Sequence, residues 1–125
     1  MDAAKYFYRN VIYSKSGTTV AIVDIHNPEK AKETLEPWLG MVLQLADGQH
    51  TIQELVDLLS TRYGGNPPAN LEETVHSVVE RLAESKLIML TDVKTDLPYY
   101  LSMPVEMMDI EKAKQLLAID RADVN

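Results

Sequence analysis

The sequence predicts an α+β domain, in which a small N-terminal three-stranded antiparallel sheet packs on three helices and a C-terminal tail with a short helix follows. Two observations predict this class. Aromatic and β-branched residues are concentrated near the N-terminus in short runs separated by turn residues, and apolar residues recur at helical spacing from residue 37 onwards. A length of 125 residues fits one compact domain with a tail.

Three strands are predicted in the N-terminal part. Residues 6–15, YFYRNVIYSK, are rich in aromatic and β-branched side chains, and Ser16-Gly17 follows them as a turn. Residues 18–25, TTVAIVDI, are apolar on both faces, as in a central strand. After a turn that contains proline, residues 31–35, AKETL, are compatible with a short edge strand or with the start of a helix. We predict the edge strand, because Pro37 then fits the first turn of a new helix.

Two helices with start and stop signals are predicted next. The first starts at Pro37 and ends before Gly48, a residue suited to the left-handed conformation beyond a last helical turn. Thr51 and Glu54 form a capping box, T-x-x-E, at the start of the second helix. This helix ends at residues 64–68, GGNPP, because glycine and proline stop helices.

A third helix and a C-terminal extension complete the prediction. Asn70 and Glu73 repeat the capping pattern, and the helix runs to about residue 86, after which the apolar run LIML indicates a short strand. We predict that residues 1–92 form the domain and that residues 93–125 form an extension, with a short helix at about residues 109–119.

Three helices followed by an apolar strand form a winged-helix-like arrangement, a scaffold that many DNA-binding proteins use. The third helix would then be the recognition helix, but its first turn carries Glu72 and Glu73, which repel phosphate. Its basic residues, Arg81 and Lys86, lie towards the opposite end. The net charge of −7 also argues against nucleic acid as a partner. An acidic transcription-associated protein that binds DNA or a protein partner is the alternative function.

The sequence contains no catalytic or metal-binding motif. Because cysteine is absent, disulfides, thiolate metal sites and cysteine nucleophiles are excluded. His26, His50 and His76 lack the spacing of metal ligands, and Gly64-Gly65 is not followed by the Gly-Lys-Ser/Thr of a phosphate loop. We therefore predict that the protein is not an enzyme and has no catalytic residues, no metal and no cofactor.

The chain has no sequence feature of a secreted or membrane protein. Residues 1–4, MDAA, are not followed by the apolar run of a signal peptide. The longest apolar runs fall far short of the roughly 20 residues that a membrane helix needs. Together with the absence of cysteine, these observations predict a cytoplasmic protein with no membrane partner.

Two stretches carry a family resemblance: LEPWLGMVLQLADGQHTIQELVDLLSTRYG at residues 35–64 and NLEETVHSVVERLAESKLIML at residues 70–90. Over about residues 11–92 the chain resembles the PqqD family, named for the pyrroloquinoline-quinone biosynthesis protein D and also called RiPP recognition elements. The glycine that is common before the final apolar run is Ser85 or Lys86 here. The resemblance implies a non-catalytic module that binds the leader of a ribosomally made precursor peptide. It would present this peptide to a modifying enzyme, often a radical S-adenosylmethionine enzyme.

The resemblance also implies where the leader binds. It adds as a strand to the edge of the sheet and places apolar side chains in a groove against the last helix. The matching edge strand here consists of Ala31, Lys32, Glu33, Thr34 and Leu35. On the third helix we expect His76, Val79 and Ala83 to form the groove wall, because they extend along one margin of its apolar face. Alternatively, Val79 belongs to the core and His76 is solvated.

Overall fold

The computed structural model describes residues 3–24, 26, 33–62, 64 and 68–122, and side chains up to residue 120. Within these residues the chain forms two small antiparallel sheets and four α-helices, which confirms the predicted α+β class. The strands are β1 Tyr6–Arg9, β2 Tyr13–Ser16, β3 Thr19–Ile22, β4 Glu33–Thr34, β5 Asp47–Thr51 and β6 Ile88–Thr91. The helices are α1 Pro37–Leu45, α2 Ile52–Arg62, α3 Leu71–Glu84 and α4 Ile110–Ala122.

The predicted N-terminal sheet is present, with strand order β2-β3-β4. Gly17, with φ of 61°, lies in the turn that joins β2 and β3. The central position of β3 agrees with its apolar residues on both faces, and β4 is an edge strand as predicted. We refer to this unit as the N-terminal sheet.

The first predicted strand is wrong in its extent, because residues 6–15 form two strands rather than one. β1 leaves the N-terminal sheet and becomes the centre of a second sheet, with order β5-β1-β6. Asp47–Thr51, which the sequence predicts as a turn and a cap, is the strand β5 in this sheet. Aspartate and glycine are poor strand formers, so β5 depends on pairing with a distant strand, which local sequence does not reveal.

One continuous core joins both sheets to helices α1, α2 and α3. Helix α1 lies very close to β3, since a Cβ atom added at Gly40 would lie only 2.9 Å from the Cβ of Val20. The largest fully buried side chains in this core are Phe7, Val20, Val42, Leu43, Ile52, Leu59, Val75, Val79, Leu82 and Ile88. The helical periodicity of the sequence therefore corresponds to real buried faces.

The two predicted capping patterns have different outcomes. At the start of α2 the capping box is confirmed: the Thr51 N–H donates to Glu54 Oε1 at 3.0 Å, and the Glu54 N–H donates to Thr51 Oγ1 at 3.2 Å. At the start of α3 the side chain of Asn70 makes no capping hydrogen bond, so that prediction is wrong. The Leu71 N–H instead donates to the carbonyl of Pro68 at 3.1 Å, which satisfies one helix N–H through the backbone.

Helix α3 ends in a Schellman motif in which Lys86 takes the left-handed position. The Leu87 N–H donates to the carbonyl of Leu82 at 2.9 Å, and the Lys86 N–H donates to the carbonyl of Ala83 at 3.0 Å. Lys86 has φ of 62°, a conformation that glycine adopts without strain. Lys86 therefore holds a backbone position that favours glycine.

The C-terminal extension folds back on the domain. It contains two 3₁₀ turns, Tyr99–Leu101 and Val105–Met107, followed by α4. Its buried residues Tyr100, Leu101, Met108 and Ala113 form a second apolar cluster, which also contacts Ile12 of the domain. Within the part of the chain that the structure describes, no helix is long and apolar enough to cross a membrane.

Candidate functional site

The edge strand β4 has outward-facing backbone groups at Thr34, which pair with no other strand that the structure describes. The Leu35 N–H donates to the carbonyl of Val20 at 2.9 Å, and the register pairs Thr34 with Ala21. Because backbone groups alternate in direction along an antiparallel strand, the N–H and C=O of Thr34 point away from β3. No described strand pairs with β4 on that side. Ala31 and Lys32 lie outside the described residues.

A depression of about 300 Å³ lies between this strand and the C-terminal half of α3. Four leucines give it an apolar floor, and Glu33, Arg81 and Ser85 give it polar walls. The leucines are Leu35, Leu39, Leu82 and Leu87. The arrangement provides an apolar recess directly beside an open strand edge.

A second depression, of about 340 Å³, continues along α3 towards its N-terminus. Its walls come from the start of α1, with Glu36 and Trp38, and from α3, with Thr74, Ser77 and Arg81 among the lining residues. Arg81 lines both depressions. We call the two together the β4–α3 groove.

An ion pair crosses this groove. Arg81 Nη1 lies 3.4 Å from Glu36 Oε2, and the two side chains are 55% and 67% exposed. Exposed pairs of this kind contribute little stability, since water screens both charges. The guanidinium can therefore exchange its partner for another carboxylate without a large loss of folding free energy.

The structure does not bring the predicted helix residues to the edge strand. At about 100° per residue, His76 lies about 140° and Ala83 about 160° around α3 from Arg81. Val79 is fully buried, with 0% exposure, and belongs to the core rather than to a groove wall. His76 is half-buried, and its Nε2 atom is buried without a hydrogen-bond partner among the described residues. The buried Val79 therefore offers no groove wall, whereas peptide contact by His76 and Ala83 stays a prediction.

The residues that line the groove from α3 lie on the opposite margin of the same apolar stripe. The sequence shows two margins, one with His76 and Ala83 and one with Thr74, Ser77, Arg81 and Ser85. Only the position of α1 and β4 beside the second margin distinguishes them. A serine and an arginine on a helix surface carry no local signal of a binding site, so the sequence offers no means of choosing.

The structure also bears on the other candidate sites. Glu72 and Glu73 lie exposed in the first turn of α3, where a recognition helix would approach phosphate. Among the residues that the structure describes, no three His, Asp or Glu side chains are grouped to hold a metal ion. The β4–α3 groove is therefore the candidate site that combines an open backbone edge with an apolar recess.

Comparison with known families supports the resemblance seen in the sequence. Residues 34–88 match the family model described as Coenzyme PQQ synthesis protein D (PqqD). This segment is PqqD-like. It runs from Thr34 of β4 through α1, β5, α2 and α3 to the first residue of β6, so the PqqD-like segment contains the open backbone position and the α3 side of the groove. No curated protein and no solved structure matches the chain.

Proposed function

We propose that this chain is a non-catalytic peptide-binding module that captures the leader of a ribosomally made precursor peptide. It presents the bound peptide to a modifying enzyme, of the radical S-adenosylmethionine type. The observation that carries the proposal is the open edge at Thr34, which lies beside the α3 groove within the PqqD-like segment. The description of the matched family, which refers to coenzyme synthesis, supports a role in a biosynthetic pathway.

The binding mode follows from the geometry of an added strand. A peptide beside β4 forms hydrogen bonds with the N–H and C=O of Thr34, and these bonds are independent of peptide sequence. Alternate peptide side chains lie about 7 Å apart on the face towards α3. One of them enters the recess floored by Leu35, Leu39, Leu82 and Leu87, which fits a large aliphatic or aromatic side chain. Affinity then comes mainly from the backbone and selectivity from the recess.

The experiment removes one backbone donor without changing the groove. Thr34→Pro deletes the outward N–H, whereas the inward bond of Leu35 to Val20 keeps its donor. Thr34→Val is the matched control, because it retains the N–H and favours a strand. Random-sequence peptides are displayed, selected on the wild-type chain, and titrated into all three proteins by calorimetry.

We expect Thr34→Pro to bind the selected peptides about fivefold more weakly, since one lost hydrogen bond is worth about 1 kcal/mol. Thr34→Val should bind within about threefold of the wild type, because a β-branched substitution on an exposed strand position changes little. Failure to recover any binding peptide contradicts the proposal. Equal binding by all three proteins places the peptide elsewhere on the molecule.

A variant on α3 tests the side chains that line the β4–α3 groove. Arg81→Ala alters the groove wall without touching the core, since the arginine is largely exposed. A charged residue at Val79 would unfold the core and would say nothing about binding. A changed affinity for the selected peptides in Arg81→Ala, with unchanged thermal unfolding, supports the groove. Unchanged affinity removes Arg81 from it.

A further inference from the structure

The N-terminal sheet has a second edge, at β2. The Val23 N–H donates to the carbonyl of Ile12 at 3.0 Å, so the backbone groups of Ile12 and Ser14 face β3. Those of Tyr13 and Lys15 face away from β3 by the same alternation. An edge with outward N–H and C=O groups pairs readily with another strand unless it is covered.

The C-terminal extension covers this edge with the carboxylate of Glu106. Glu106 Oε1 accepts a hydrogen bond from the outward N–H of Lys15 at 2.9 Å. Glu106 Oε2 accepts a second hydrogen bond from Ser14 Oγ. The carboxylate oxygen therefore occupies the position that a strand carbonyl would take beside Lys15.

Contacts on both sides hold Glu106 in this position. It lies in the turn Val105–Met107, which the Met107 N–H closes by donating to the carbonyl of Pro104 at 3.0 Å. Upstream, Arg9 Nε donates to the carbonyl of Leu101 at 2.6 Å. Downstream, the second apolar cluster buries Met108 and Ala113. The carboxylate is thus presented to β2 by an ordered segment rather than by a free tail.

We infer that the C-terminal extension guards the β2 edge against strand addition, with Glu106 as the residue that blocks it. Of the two edges of the N-terminal sheet, the guard leaves β4 available. Without the guard, the occupant of the β2 edge is the same strand of a second copy of this chain, paired antiparallel about a twofold axis. This inference does not depend on the proposed peptide binding.

The test uses the full chain and four variants. Glu106→Ala removes the acceptor, and Glu106→Gln keeps an amide oxygen that accepts from Lys15 N–H. Glu106→Asp keeps the charge but shortens the side chain by one methylene. Glu111→Ala removes one carboxylate from the exposed start of α4 and controls for the change in charge. Amide exchange is followed by NMR, and self-association by sedimentation velocity over increasing concentration.

We expect the Lys15 amide of Glu106→Ala to exchange at least about tenfold faster than in the wild type, at low concentration. The Tyr8 amide should keep its protection, because β1 pairs with β6 in the other sheet. At high concentration Glu106→Ala should dimerise, whereas Glu106→Gln and Glu111→Ala should behave like the wild type.

Two results overturn the inference. One is unchanged Lys15 exchange in Glu106→Ala, which means that the carboxylate does not protect the edge. The other is faster exchange without any dimer at the highest concentration, which means that the edge needs no guard. If Glu106→Ala loses the protection of Tyr8, the same readouts are taken from Glu106→Asp, which retains the charge of the turn.

Discussion

Arg9 Nε donates a hydrogen bond to the carbonyl of Leu101 at 2.6 Å, across 92 residues of sequence. The same buried guanidinium donates through Nη1 to carbonyls at the end of α1, of which that of Gln44 lies at 3.0 Å. Its carbon Cζ lies 5.0 Å from the ring centroid of Tyr13. Burial lowers the pKa of Arg9, which nonetheless stays charged as arginine does in proteins. The Arg9 cation thus joins strand β1, the C-terminus of α1 and the C-terminal extension.

Replacing Arg9 should be strongly destabilising. Arg9→Met keeps much of the side-chain volume but leaves the carbonyl of Leu101 and those at the end of α1 without their donor. We expect a loss of about 3 kcal/mol in the free energy of unfolding, measured by urea denaturation. Arg62→Met, on the exposed surface of α2, is the control and should change stability by less than about 0.5 kcal/mol. Equal losses in the two variants would show that the Arg9 contacts contribute nothing specific.

The left-handed residue at the end of α3 predicts a stabilising substitution. Lys86→Gly relieves the strain of a lysine at φ of 62°, and we expect a gain of about 0.5–1 kcal/mol after the entropy of the unfolded glycine is deducted. Ser85→Gly is the matched control, because Ser85 has an ordinary helical φ of −81°. This variant should lose about 0.5–1 kcal/mol of stability, since glycine is unfavourable at a helical position. Thermal unfolding of both proteins decides the sign. A loss of stability in Lys86→Gly would show that Lys86 is not strained at this position.

Gly48 is expected to tolerate no side chain. It has φ of 78°, and a Cβ atom there would lie 2.1 Å from the carbonyl oxygen of Thr95 in the extension. Gly17→Ala is the control, since Gly17 has φ of 61° but open space around it. We expect Gly17→Ala to cost about 1 kcal/mol from backbone strain alone. Gly48→Ala should cost at least about 2 kcal/mol more, in chemical denaturation. Similar costs would mean that the extension moves aside freely.

The capping box predicts a pH dependence of stability. The hydrogen bond from the Thr51 N–H lowers the pKa of Glu54 from its ordinary value of 4.5. A lowered pKa in the folded state gives stability that is present above about pH 4.5 and is lost as pH falls through the folded pKa. The midpoint temperature of unfolding of Glu54→Gln should therefore fall less steeply, as the pH is lowered, than that of the wild type.

Thr51→Val provides the control for Glu54→Gln. It keeps the backbone N–H that is the main cause of the lowered pKa, but it loses the hydroxyl that caps α2. We expect it to lose about 1 kcal/mol at neutral pH and to retain most of the acid dependence. Identical pH profiles for Glu54→Gln and the wild type would contradict the role assigned to this carboxylate.

The elements that could be predicted from the sequence are those that local chemistry specifies. Helices α1, α2 and α3 start and stop near their glycines, prolines and caps, and the capping box at Thr51 is confirmed in atomic detail. The elements that could not be predicted depend on distant partners. Strand β5 begins with Asp47 and Gly48, which disfavour strands, and it exists because β1 pairs with it. The division of residues 6–15 between two sheets has the same cause.

The candidate site was only half predictable for a geometric reason. The edge strand has a local signal, because it is a short segment between a turn and Pro37. In the structure Glu33 and Thr34 form this strand. The groove wall on α3 has no local sequence signal. The apolar stripe of a helix has two margins, and the sequence pattern does not distinguish one from the other. The structure places the margin of Arg81, not that of His76, beside the edge strand.

The central position of β1 has a consequence for how the chain folds during synthesis. β1 leaves the ribosome well before its partner β6, which begins at Ile88, and before Leu101, whose carbonyl accepts a hydrogen bond from Arg9. Closing such long loops costs chain entropy before the contacts that compensate for this cost can form. Folding is therefore slow. We expect nascent chains that end before residue 88 to stay sensitive to protease, and resistance to appear only once residues 88–101 have emerged.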